Sequence, residues 1–462
     1  MASNSISISP QRPVFDSNIP IVAAGLACAV IVGLAAAVKL AFGVGALLGV
    51  LFVPIVLMNV PLGILAWIPA IFMERVPAFS FGPTLVGLMV ASAWLLALPA
   101  TRGYVAEVLR RHRFLFTALT LFLAWTTASI LWALDRGEAA DHFARWYLAG
   151  ATFLIVATAL STRRFVIGAC AAFVAGATLS VLMGFIPGDV AGQGEVNEDV
   201  AARLAGSLGD PNFLAAGVVP AIALAFGLMA TTRRPGLRWA LAGALVVLGT
   251  GLLATGSRGG LIAAGVMAIA AICLERERRF QLGAVLVTVV AVGALIAAYS
   301  SSSSIDRLRS FETGNGRVDL WSLAIRMSED NLVSGVGVNN YRPEAARYLQ
   351  EPGFVQDQAL IVGTPHVAHN TYLQQLAETG IVGVALLLAF GGAALGATQS
   401  AARTFLARGD RDMASLARAA LVAQLGILTT AIFLSNGPDR RIWVVLALGV
   451  ALSAVASRGQ RT

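Results

Sequence analysis

The sequence predicts an all-α fold: a polytopic bundle of transmembrane helices carrying a helical loop domain on one face. Three observations predict it. Hydrophobic residues fill 57% of the 462 positions and charged residues only 13%, whereas a soluble domain carries about 25% charge. The apolar residues run in uncharged blocks of about 17–23, the length that crosses a hydrocarbon core of about 30 Å as helix. The alternating pattern of a β-barrel is absent, and an unpaired backbone group in lipid costs several kcal/mol, so the blocks must be helical.

In chain order, residues 1–18 are polar with Arg12 as their one basic residue and show no small-residue cleavage site, which predicts a short cytoplasmic tail. Residues 19–299 predict an N-terminal membrane bundle. Within it the stretch 19–73 must cross an odd number of times, and spans follow near 82–99, 114–134, 144–160, 165–187, 213–230, 238–254, 259–275 and 281–299. Residues 300–370 form a polar excursion, the large outer loop. Residues 371–457 hold spans near 371–396, 414–434 and 441–457, and 458–462 are a second cytoplasmic tail. The total is 12 or 14 spans. Within the excursion, Val318–Met327 and Tyr341–Leu349 read as short amphipathic helices, with Tyr341, Ala345 and Tyr348 on one face opposite Arg342 and Glu344. Gly335 and Gly337 break the chain between them.

The charge of +8 is topological. Lys39 is the sole lysine, and arginines cluster in short loops such as 110–113, 163–164, 233–238, 276–279 and 403–418. These loops alternate with acidic, mixed or glycine-rich ones, so the positive-inside rule places the first set in the cytoplasm and the second outside. Nucleic acid is therefore excluded as a partner. Cys28, Cys170 and Cys273 all stand inside apolar blocks and imply neither disulfides nor a metal framework. Trp125, Trp132 and Trp146 are most simply an interfacial aromatic belt.

Arginines on the outer side run against the charge bias and need a reason. Arg203 precedes Gly206-Ser207-Leu208-Gly209-Asp210-Pro211, Arg258 stands in Thr255-Gly256-Ser257-Arg258-Gly259-Gly260, and Arg317 lies in the excursion. A guanidinium beside glycines at a helix N-terminus forms an anion site; the alternative is an arginine snorkelling to the interface. Several together favour a phosphate-bearing ligand, and on a face without nucleotide that is a lipid diphosphate. His369 directly precedes a helix opening with Asn370-Thr371, where the dipole disfavours a protonated ring. It is either a capping or interfacial residue, or a base for a hydroxyl nucleophile. His366 lies three residues earlier. No Cys, Asp or Glu nearby completes a metal site with this pair, and neither metal nor cofactor is expected.

Four of these segments together resemble the bacterial O-antigen ligase family, in the superfamily that also holds the O-antigen polymerases: Thr-Gly-Ser-Arg-Gly-Gly (255–260), Gly-Arg-x-x-x-Trp (316–321), Gly-x-Gly-x-Asn (335–339) and His-Asn-x-Tyr-Leu followed by Gly380 (369–380). They occur in the family's order over the central and C-terminal half. The resemblance implies a GT-C-type membrane glycosyltransferase of the bacterial inner membrane with its site facing the periplasm. It moves a glycan from undecaprenyl diphosphate to a sugar hydroxyl of lipid A–core oligosaccharide, metal-independently and with inversion. It further implies His369 as general base and Arg203, Arg258 and Arg317 as diphosphate ligands. Asp439, with His366 and Asn370, would help position the acceptor. The nearest alternative is a polymerase using a second prenyl-linked glycan as acceptor; a lipid or glycan transporter is disfavoured by the lack of charge at span centres.

Overall fold

The computed structural model describes residues 52–76, 82–186, 203–274, 317–349 and 367–458, together with Gly43. The described residues contain helices and no strand. The crossings expected in 19–51 and at 281–299, and His366, lie outside them, and with them the total number of spans.

Thirteen helices are labelled in chain order: α1 Val60–Ala70, α2 Gly82–Arg111, α3 Arg113–Ala128, α4 Arg136–Ala159, α5 Arg163–Gly184, α6 Pro211–Thr231, α7 Pro235–Ala254, α8 Arg258–Leu274, α9 Arg317–Asp330, α10 Tyr341–Leu349, α11 Thr371–Ala407, α12 Arg411–Thr430 and α13 Arg440–Arg458. Among the described residues eight helices are long and apolar enough to cross a membrane: α2, α3 with its 3-10 extension to Leu131, α5, α6, α7, α11, α12 and α13. This is a multi-pass α-helical membrane protein. α4 covers the expected span at 144–160 as far as Ala159 but opens with the charged Arg136, Glu138, Asp141 and Arg145, and α8 has 17 residues. Two helices run longer than expected: α2 continues through Pro99 to Arg111, and α11 extends to Ala407.

Sequence chemistry sets the helix starts. Asp210 caps α6, its Oδ1 accepting from the Asn212 and Phe213 amides at 2.7 and 3.0 Å, and Pro211 fills the position where a missing N–H does no harm. Asn59, Thr162, Asn370 and Asp410 cap α1, α5, α11 and α12 in the same way. Without a hydrophobic drive between helices in lipid, packing relies on small residues and interhelical hydrogen bonds. α13 and α6 are innermost, 89% and 78% of their apolar windows being buried, whereas α2 lies at the periphery with 11%. Gln424 of α12 joins three helices: its amide donates to the Val445 and Leu446 carbonyls of α13 at 3.2 Å and accepts from Thr398 Oγ1 of α11 at 2.8 Å.

The alternation of loops is reproduced at both ends of this bundle. At one end Arg163 pairs with Asp410 at 2.9 Å, and Arg458 reaches the Ser161 carbonyl and covers the Tyr104 ring. The turns around 203–212, 255–260 and 435–441 meet at the other.

The described part of the excursion is a helical cap with its own small core. Leu320, Leu323, Ala324 and Met327 of α9 pack with Tyr341, Ala345 and Tyr348 of α10 and with Val336, Ala368 and Ala377. α9 begins at Arg317 and α10 spans 341–349, close to expectation. Glu344 corrects that reading: it is 6% exposed, 3.7 Å from Arg347, because a residue three positions after Tyr341 shares the tyrosine's face.

Candidate active site

His369 sits where the cap meets the bundle, and a backbone clamp holds it there. Ala368 is fully buried in the cap core. His369 adopts φ 49°, in the left-handed region, a conformation that costs a residue with a Cβ about 1–3 kcal/mol and marks functional sites. The next residue, Asn370, is 6% exposed, and its side-chain oxygen accepts from the Tyr372 and Leu373 amides at 3.0 and 3.1 Å. That oxygen therefore caps α11. Thr371 donates through Oγ1 to the Leu434 carbonyl at 2.6 Å and accepts from the Asn436 amide at 3.0 Å, tying the start of α11 to the 435–441 turn.

Nine residues into α11 the helix breaks at Gly380, with φ 66° and ψ −172°. The carbonyls freed by the break are taken up one by one. Ala377 accepts from the Val336 amide at 2.9 Å, Glu378 from Gly337 at 2.8 Å and Thr379 from the Trp125 indole at 2.8 Å, while the Ile381 amide donates to Leu332 at 2.8 Å. Gly335 and Gly380 lie backbone to backbone. A Cβ on Gly335 would run into the Glu378 carbonyl and one on Gly380 into Val333, and both have positive φ. The Gly-x-Gly-x-Asn run is thus a clamp across the helix break. Its far side docks on residues 129–142: the Val338 amide donates to Ser129 Oγ at 3.0 Å, and buried Asn340 exchanges hydrogen bonds with the Asp135 backbone at 2.7 and 3.0 Å.

Two tryptophans depart from the expected belt. Trp125 serves this clamp, and Trp146 is 4% exposed, its ring against Phe122 and Trp443. Their indoles close gaps between helices here, whereas Trp132 is 38% exposed.

The outer arginines gather around the start of α6. Arg203 is braced by two hydrogen bonds, Nε to the Thr255 carbonyl at 2.7 Å and Nη2 to Asn212 Oδ1 at 3.1 Å, which joins the first two outer turns. Ser257 Oγ accepts from the Gly260 amide at 3.2 Å in the first turn of α8, where Arg258 is exposed. Arg317, at the start of α9, lies within electrostatic reach of both Asp210 and Arg258. Burial lowers its pKa from arginine's ordinary value; the Asp210 carboxylate opposes that shift and the Arg258 guanidinium adds to it. The excursion therefore brings its arginine to the turns held by the bundle.

Beside this cluster opens a cavity of about 520 Å³, lined by Glu74, Arg75, Arg145, Asp210, Asp439, Arg440 and Arg441 among others. Asp439 Oδ1 accepts from the Arg441 amide and, with Oδ2, grips its guanidinium. Arg441 is 5% exposed and its guanidinium lies 5.8 Å from the Phe72 and Phe213 ring centroids. Four buried side-chain groups on this one wall have no hydrogen-bond partner among the described residues: Ser435 Oγ, Asn436 Nδ2, Arg440 Nη1 and Arg441 Nη1. Arg440 Nη1 is 3.7 Å from Glu74, too far for a hydrogen bond. An orphaned buried polar group costs about 1–3 kcal/mol, and the four residues that carry these groups all line the cavity. Chemically the lining sets four guanidiniums, those of Arg75, Arg145, Arg440 and Arg441, against the three carboxylates of Glu74, Asp210 and Asp439.

Sequence reasoning gave a role to Asp439 and none to Arg75, Arg145, Arg440 or Arg441. Its own signal, arginine on the outer side, reaches Arg75, Arg440 and Arg441; Arg145 stood inside an expected span. Among the described residues no three His, Cys, Asp or Glu converge as a metal site.

The fold and site define a multi-pass helical membrane protein with a polar, arginine-rich chamber at one end of its bundle. Residues 243–388 match the family model Wzy_C, O-antigen ligase. The match contains all four motifs, with Arg258, Arg317, His369 and Asn370; Arg203 and Asp439 fall outside it. No curated protein matches the chain. The family carries the glycosyltransferase-like activity of the O-antigen ligase/polymerase superfamily.

Proposed function

We propose that this protein is an O-antigen ligase of the bacterial inner membrane. It transfers a glycan from undecaprenyl diphosphate to a sugar hydroxyl of lipid A–core oligosaccharide on the periplasmic face, without metal or cofactor and with inversion. The observation that carries the reading is the cavity lined by Arg75, Arg145, Arg440 and Arg441, whose 435–441 turn is one hydrogen bond (Asn436 to Thr371) from the helix start that presents His369.

In this reading His369 takes the proton from the acceptor hydroxyl as its oxygen attacks the anomeric carbon. The bond from that carbon to the diphosphate oxygen breaks, and the negative charge passes to the leaving diphosphate. Arg258 and Arg317, with Arg203 pre-oriented by its two hydrogen bonds, neutralise that charge; fixed donors aimed at developing charge lower the barrier without reorganisation. Asp439 keeps Arg441 rigid on the cavity wall and so positions what binds there.

The test supplies prenyl-diphosphate-linked glycan and rough lipopolysaccharide to the protein in nanodiscs, with chelator and without nucleotide. Glycan on the lipid A–core is the expected product. Lengthened prenyl-linked glycan instead would identify a polymerase, and the absence of either product would overturn the reading.

A further inference from the structure

An apolar groove of about 270 Å³ opens between α11, α12 and α13, lined by Leu388, Gly391, Gly392, Leu395, Leu428 and Trp443 among others. Gly391 is buried, yet a Cβ built on it or on Gly392 meets no atom within 4 Å. A glycine inside a helix costs about 1 kcal/mol relative to alanine. At Gly449 of α13 that cost has a packing reason, since a Cβ there would collide with Thr398 and Gln424. At 391 and 392 no neighbour requires it: Gly391 is buried against open space in the groove lining, and Gly392 is exposed beside it. Leu388 at the rim is 54% exposed, which opens the groove to the lipid-facing surface.

The other end of the groove adjoins the candidate active site. Thr371 and Gly437 line the groove, while Asn436, Pro438 and Asp439 of the same turn line the charged cavity. Ile442 and Trp443 border the groove where Arg440 and Arg441 border the cavity. A single turn and the first residues of α13 separate an apolar channel from an arginine wall, a layout matched to a lipid whose anionic head joins its tail directly.

We propose that this groove binds the first isoprene units of the prenyl-diphosphate donor and that Gly391 and Gly392 are its specificity-determining residues. The inference rests on the proposed function. Donor tail fits better than the acyl chains of the acceptor for a chemical reason. Only a diphosphate separates the prenyl chain from the reacting anomeric carbon, so its first units must lie close to His369. The acceptor's acyl chains are set apart from the reacting hydroxyl by the core oligosaccharide.

Gly391→Leu and Gly392→Leu fill the groove. Gly396→Leu is the control, on the same helix with equally open space over its Cα but outside the groove. KM for donor and for acceptor is measured in nanodiscs. In parallel, undecaprenyl diphosphate carrying a diazirine in its first isoprene unit is crosslinked and the labelled peptides are mapped. We expect donor KM to rise about tenfold in the two groove variants, acceptor KM and melting temperature to hold, Gly396→Leu to match wild type, and label on the peptide bearing Leu395 or Trp443. A rise in acceptor KM instead, or groove variants that match the control with label elsewhere, would overturn the inference while leaving an active wild type and its function intact. Groove labelling that both leucines abolish, in a protein that transfers no glycan, would uphold the groove and sink the function.

Discussion

Two breaks in helical backbone lie within one hydrogen-bonded network, and they treat their polar groups oppositely. At Gly380 the freed carbonyls of Ala377, Glu378 and Thr379 each find a donor, from the 336–337 backbone or from Trp125. At 435–441 the chain leaves Ser435, Asn436, Arg440 and Arg441 with buried groups that no described residue satisfies. The first break is closed by the protein; the second keeps buried groups without a hydrogen-bond partner among the described residues. Leaving a buried donor unpaired weakens the fold, so in the proposed function the contrast separates what holds His369 from what meets the substrate.

The comparison can be broken most decisively at His369 itself. His369→Ala should lower transfer by about 100-fold or more, as loss of a general base does, with melting temperature and donor binding unchanged; near-normal turnover would remove the base from the mechanism. On the closed side, Gly335→Ala places a Cβ against the Glu378 carbonyl at φ 66°. It should destabilise the protein by about 1–3 kcal/mol and reduce activity in parallel, seen as a lower melting temperature in detergent. A variant as stable as wild type would mean that the clamp holds nothing.

On the open side, Arg258→Ala should weaken donor binding about tenfold, the scale of one charge-assisted hydrogen bond. The same change at Arg233, on an expected cytoplasmic loop, should leave binding untouched; equal effects at the two would reduce Arg258 to a topology signal. The smallest effect sharpens the contrast most. Ser435→Ala removes an orphaned hydroxyl, so thermal stability should hold or rise slightly while donor or acceptor KM increases a few-fold. A clear drop in melting temperature would show that this hydroxyl is already satisfied within the fold.

Much of this was legible in residues. The blocks of apolar sequence and the alternating arginine loops announced the bundle, because a membrane punishes any other backbone arrangement. α9, α10, the start of α11 at Asn370 and the arginine turns were all marked by local signals: amphipathic spacing, a capping side chain, glycine beside guanidinium. Arg441 illustrates the limit. Nothing in its neighbours distinguishes it from Arg440, yet one is locked by Asp439 and buried between Phe72 and Phe213, residues far away in the chain. Trp125 is similar, since its partner Thr379 is 254 positions distant.

By itself, then, the sequence determined the membrane class, the helical content and the arginine-bearing turns beside glycines. These follow from composition and short-range pattern, which lipid and helix geometry read locally. Only the tertiary structure decided that Gly335 and Gly380 press together across a helix break, that Arg317 reaches Asp210 and Arg258, and that the 435–441 turn faces a charged cavity on one side and an apolar groove on the other. Those outcomes depend on which distant surfaces meet, and close packing settles that only when the whole bundle has assembled.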